Sequence, residues 1–102
     1  MPTRLEQLQQ FFAEDPNDPF NIYALALEYQ KINPTKAKEL FDKLLTEHKM
    51  YLPTYYHAAN LYLNLDLREE AIVVLQNGIV LAKQQNEMKA MRELQTVYDE
   101  LI

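Results

Sequence analysis

His48 and His57 are the only histidines in a chain of 102 residues, and histidine is the side chain that most readily exchanges protons near neutrality. His48 follows Glu47, so the two could in principle form an acid–base pair. Adjacent residues on a helix point about 100° apart, however, and do not converge on one reacting atom. Glu47-His48 therefore reads as the solvated end of a helix. Glu69-Glu70 and Asp99-Glu100 are carboxylate pairs of the same kind, read as solvated charge or as a complement to a helix N-terminus. There is no H-E-x-x-H motif and no cysteine, which removes the commonest zinc site and the thiol nucleophile. A single glycine cannot build a phosphate-cradling loop. No catalytic residue, metal or cofactor is expected, and the chain is read as a non-enzyme.

Composition narrows the remaining classes. Hydrophobic residues make up 48% and charged residues 25% of the sequence, ordinary values for one globular domain with one core. No apolar run reaches the roughly 20 residues of a membrane span. The start, MPTRLEQLQQFF, lacks the apolar stretch of a signal peptide, so a cytoplasmic location is expected. The net charge is −5 and the basic residues are scattered. Nucleic-acid binding needs clustered Lys and Arg to neutralise phosphates, so neither nucleic acid nor an anionic membrane is an expected partner.

The elements that hold these residues are helical. Six helices are expected near residues 3–14, 19–32, 34–48, 53–65, 67–85 and 87–101. Asp18-Pro19, Asn33-Pro34 and Leu52-Pro53 each put proline where a helix can start without its N–H. Asp18 and Asn33 are also good N-caps. Asp66 with Glu69 forms a D-x-x-E start resembling a capping box. In the fifth segment, Ala71, Val74, Leu75, Gly78, Ile79 and Ala82 follow one helix face, so Asn77-Gly78 is not a hairpin turn despite its sequence. Short connections force consecutive helices to pack antiparallel.

The pattern repeats. Ala37 and Ala71, Phe41 and Leu75, and Leu45 and Ile79 recur at an offset of 34 residues. Tyr29 and Tyr62, Ala26 and Ala59, and Ile22 and Tyr55 recur at 33. With Tyr55, Ala58, Ala59, Tyr62, Ala71, Leu75 and Gly78 in one copy and Ile22, Leu25, Ala26, Tyr29, Ala37, Phe41 and Leu44 in the other, the chain resembles the tetratricopeptide repeat (TPR) family. The resemblance covers residues 19–85 strongly and the two ends weakly. It implies an all-α fold, a right-handed α-α superhelix of about six antiparallel helices. Residues 3–14 form an N-terminal capping helix, 19–51 the first repeat, 52–85 the second and 87–101 a C-terminal capping helix. The amphipathic patterns of the first and last helices suit such caps, with polar outer faces. Gly78 falls where the family usually has alanine, facing a neighbouring helix at close range. Gly78→Ala is accordingly expected to be neutral or slightly stabilising, and Gly78→Leu to cost about 1–3 kcal/mol by overpacking.

The resemblance also implies a function: binding a partner protein or peptide in a concave groove lined by the first helix of each repeat. The groove-facing positions carried over are Phe20, Tyr23, Ala24, Leu27, Gln30 and Lys31 in the first repeat, and Tyr56, His57, Asn60, Leu63 and Asn64 in the second. Tyr23 and Tyr56 offer rigid apolar area with a polar tip, and Asn60 can both donate and accept. His57 in the groove would make binding pH-dependent near neutrality. Some family members clamp a C-terminal carboxylate with Lys, Arg and Asn. Here Tyr23, Leu27 and His57 stand at three of those positions and only Asn60 fits, so chaperone tails are not expected ligands. A monomer is expected ahead of a homodimer. The alternative is a structural module that self-associates through the outer face of the fifth helix, where Val73 and Val80 lie on a side usually polar.

Overall fold

The computed structural model spans Met1–Ile102 and is helical throughout. Its helices are α1 (Arg4–Glu14), α2 (Pro19–Gln30), α3 (Pro34–Glu47), α4 (Pro53–Asn64), α5 (Arg68–Gln84) and α6 (Met88–Leu101). Every end lies within two residues of the range expected from the sequence. The chain divides into two compact units, Met1–Tyr51 and Leu52–Ile102.

In the first unit α2 packs against both α1 and α3. Local chemistry sets the starts. Thr3 accepts from the Glu6 N–H at 3.1 Å while Glu6 reaches back to the Thr3 N–H, a full capping box. Asp18 accepts from the Phe20 N–H at 2.9 Å and Asn33 from the Lys36 N–H at 3.2 Å, each with Pro at N1. The core gathers Leu8, Ile22, Leu25, Ala26, Phe41 and Leu44, all buried. Burying a side chain the size of Phe41 contributes about 1.5–3 kcal/mol. Asn21 closes α1 by donating to the Phe11 and Asp15 carbonyls. Gln9 on α1 donates to the Tyr29 hydroxyl on α2 at 2.8 Å, so Tyr29 is a half-buried packing residue.

In the second unit α5 packs against α4 and α6, and α6 also lies alongside α4. Tyr55, Tyr62, Leu75 and Leu94 anchor its core. Gln76 on α5 donates to the Tyr98 hydroxyl on α6 at 3.1 Å.

Two expectations are corrected here. Asp66 is not the N-cap of α5. It sits at φ 63°, and Leu67 precedes the helix without a side-chain cap. Asp66 instead closes α4: its N–H bonds the Leu63 carbonyl at 3.1 Å and the Leu67 N–H bonds the Tyr62 carbonyl at 2.8 Å. This is a Schellman motif with Asp in the left-handed position, which short polar side chains tolerate best after glycine. Asn86, at φ 60°, does the same for α5, with N–H bonds from Asn86 to Lys83 and from Glu87 to Ala82.

The second correction concerns Gly78. It is buried and helical, as expected, but a Cβ there would lie 2.8 Å from Tyr55 Cβ and 3.1 Å from Leu94 Cδ1. Tyr55 Cβ is fixed to the α4 backbone and cannot swing aside. Alanine therefore overpacks the junction of α4, α5 and α6, and Gly78→Ala is destabilising rather than neutral.

Candidate functional site

Three residues singled out on α4 line one groove. Tyr56, Asn60 and Leu63 follow i, i+4, i+7 spacing, which places them on one helix face. The opposite wall is α6, contributing Glu93, Thr96 and Val97, with Glu100 and Leu101 at its end. The groove is open and holds about 410 Å³. Tyr56, Leu63, Val97 and Leu101 give it apolar surface.

The polar residues are oriented by their own helices. Asn60 Nδ2 donates to the Tyr56 carbonyl at 3.1 Å, and Thr96 Oγ1 donates to the Arg92 carbonyl at 2.9 Å. Both are i to i−4 bonds, which tie up donors and leave oxygens as acceptors. Asn60 therefore has less donor capacity toward a ligand than its residue type suggests. His57 meets the Tyr56 ring edge-on, with centroids 5.5 Å apart and planes at 88°. Burial lowers the His57 pKa below its ordinary value of 6.5, and the negative charge of Glu93 only partly opposes this. Asn64 is exposed in the last turn of α4 and lies outside the groove.

On α2 in the first unit, Phe20 is 59% exposed, and Tyr23, Leu27 and Gln30 are half-buried. Ala24, expected on the groove face, is buried. Lys31 is exposed and pairs with Glu28 at 3.3 Å. Tyr23 packs edge-on against Tyr51, with centroids 5.6 Å apart. Burial raises the pKa of both phenols, Tyr51 adding to the effect at Tyr23 and Asp18 to that at Tyr51. Gln30 Oε1 is buried with no hydrogen-bond partner. Tyr51 also borders a shallow hollow of about 380 Å³ with Pro19 and Met50.

Sequence reasoning missed Tyr51 and the α6 wall. The amphipathic pattern of α6 assigns its polar residues to an outward face, and no local pattern links Glu93 to Tyr56. The Glu93 and Glu100 spacing of seven residues was the available signal, since it puts both on one face.

The residues first considered for chemistry stay apart. Glu47 pairs with Lys43 at 3.0 Å, and His48 caps the end of α3 with its N–H on the Leu44 carbonyl. Glu69 and Glu70 are exposed in the first turn of α5. No three His, Cys, Asp or Glu residues gather so that they could hold a metal ion. No helix is long and apolar enough to cross a membrane.

Comparison with known proteins agrees with the repeat pattern. The chain is similar to a tetratricopeptide repeat domain protein from Salinibacter ruber. Against its crystal structure the identity is 38% over 82% of this chain and 94% of the other, with a TM-score of 0.78. Against a solution NMR structure of a tetratricopeptide repeat domain protein from the same organism it is 39% over 85% and 89%, with a TM-score of 0.81. No protein-family model matches the chain, and no curated protein matches it.

Proposed function

The chain belongs to the tetratricopeptide repeat family, whose domains are non-catalytic protein–protein interaction modules, and from that premise we propose that it binds partner peptide on first-helix faces, that of α4 in the second unit and that of α2 in the first. The observation that carries this reading is the groove beside α4, where Tyr56, Asn60 and Leu63 share one open surface. Tyrosine supplies large contact area at low entropic cost, and such side chains dominate binding energy at interfaces. Phe20, Tyr23, Leu27 and Gln30 on α2, with Lys31 just after it, are the corresponding contact residues of the first repeat, with His57 and Asn64 flanking those of α4. The protein acts as a monomer in this reading.

Selection from a random peptide library tests it. Selected peptides should bind in solution, and Tyr56→Ala with Leu63→Ala should weaken them by at least about tenfold, a typical hot-spot loss. Binding that survives those changes but is lost on Val73→Asp with Val80→Asp would move the site elsewhere. A second reading, self-association through the outer face of α5, is favoured by Val73 and Val80, which are 54% and 55% exposed. Isolated exposed valines are common on monomers. Sedimentation equilibrium showing only monomer at tens of micromolar would remove that reading.

A further inference from the structure

We propose that the groove between α4 and α6 selects a cationic segment: a large apolar residue flanked by two Lys or Arg side chains. This inference rests on the peptide-binding reading above and adds the chemistry of the occupant. Glu93 and Glu100 are seven residues apart on α6, two helical turns, so both carboxylates edge the groove about 10 Å from each other. No Lys or Arg lines the groove. Lys89 and Arg92 lie near Glu93 on α6 but neither lines the groove, and burial lowers the pKa of His57, which weakens it as a cationic partner for Glu93. Neither glutamate is in an ion pair within the chain.

The uncharged polar groups point the same way. Asn60 and Thr96 line the groove and each spends a donor on its own helix, while Asn60 Oδ1 and Thr96 Oγ1 keep acceptor capacity. Beside the second Asn60 N–H and the Tyr56 hydroxyl, the two carboxylates and these oxygens give the groove more acceptors than donors, and Lys and Arg side chains carry only donors. Between the acceptors, Tyr56, Leu63, Val97 and Leu101 present apolar surface that a charged segment alone would leave uncovered. An apolar residue set between two cations satisfies both. An acidic segment would meet like charge, and a purely apolar one would bury the carboxylates without partners. The second unit as a whole carries seven acidic residues against four basic ones, so its longer-range field attracts the same class of partner.

The test is library selection against the wild-type protein, followed by affinity measurement on Glu93→Gln/Glu100→Gln and on Tyr56→Ala. Both glutamates are exposed, so the double variant should keep the wild-type circular dichroism spectrum. The expected result is enrichment of paired Lys or Arg in the selected peptides. Their affinity should be about five- to tenfold weaker for the double Gln variant and fall with added salt. Selected peptides that need Tyr56 but show no basic enrichment, or bind the double Gln variant equally well, overturn the cationic specificity and leave the peptide-binding reading standing. Peptides indifferent to both Tyr56→Ala and the glutamate changes overturn both.

Discussion

Replacing Gly78 with alanine adds one methyl group, and the structure sets its consequence. Carbon atoms attract at about 3.5–4.0 Å and repel steeply below that. The new Cβ would lie 2.8 Å from Tyr55 Cβ and 3.1 Å from both Tyr55 Cγ and Leu94 Cδ1. Relief requires α5 to withdraw from α4 by more than half an ångström, on the order of the gap between that contact and an ordinary one. Tyr55 and Leu94 are 6% and 2% exposed, so that movement loosens packing well inside the unit. Overpacking of this kind costs about 1–3 kcal/mol. Alanine recovers about 1 kcal/mol through its better helix propensity, leaving a net loss near 1 kcal/mol. For a domain of this size that lowers Tm by roughly 4–8 °C. Urea unfolding of Gly78→Ala beside Asn77→Ala separates the two terms, because Asn77 is exposed on the same helix and reports propensity alone. Asn77→Ala should stabilise, Gly78→Ala should destabilise, and Gly78→Leu should lose about 3 kcal/mol or more. A Gly78→Ala protein at least as stable as wild type would refute the close-approach explanation.

Thr54 is fully buried with its Oγ1 unpartnered, so Thr54→Val should stabilise by up to about 1 kcal/mol in the same unfolding assay. Thr3→Ala removes one half of the α1 capping box and should cost about 1 kcal/mol, with hydrogen exchange accelerating in α1 first. Asn86→Gly relieves a left-handed backbone and should raise Tm, while Asn86→Val at the same φ should lower it. His57 has a lowered pKa in the folded state, so the unfolded chain binds the proton more readily. Its contribution is therefore complete above the ordinary value of 6.5 and is lost as pH falls below it, and Tm measured from about pH 7.5 to 5.5 should decline less in His57→Asn than in wild type.

The readable parts of this protein are those whose cause lies within a few residues. Asp18-Pro19 and Asn33-Pro34 mark helix starts because cap and proline act on the adjacent turn. The repeated Ala, Tyr and Phe positions mark the packed faces because helical period alone decides which side they take. Asp66-x-x-Glu69 has the composition of an N-cap, whereas the role of Asp66 is fixed by the Tyr62 and Leu63 carbonyls behind it. Helical period puts Gly78 on a buried face, but a propensity scale contains no distance to Tyr55. The α6 wall was missed for the same reason. Glu93 and Glu100 look like solvated charge along the chain and acquire a role only when α6 lies beside Tyr56 and Leu63.

The amide NMR spectrum recorded while a library-selected peptide is titrated in tests the interaction reading most directly. Binding on the first-helix face predicts shifts concentrated at Tyr56, Asn60 and Leu63 of α4 and at Glu93, Val97 and Glu100 of α6. Shifts centred on Val73 and Val80 of α5, with those α4 and α6 amides unmoved, would contradict it.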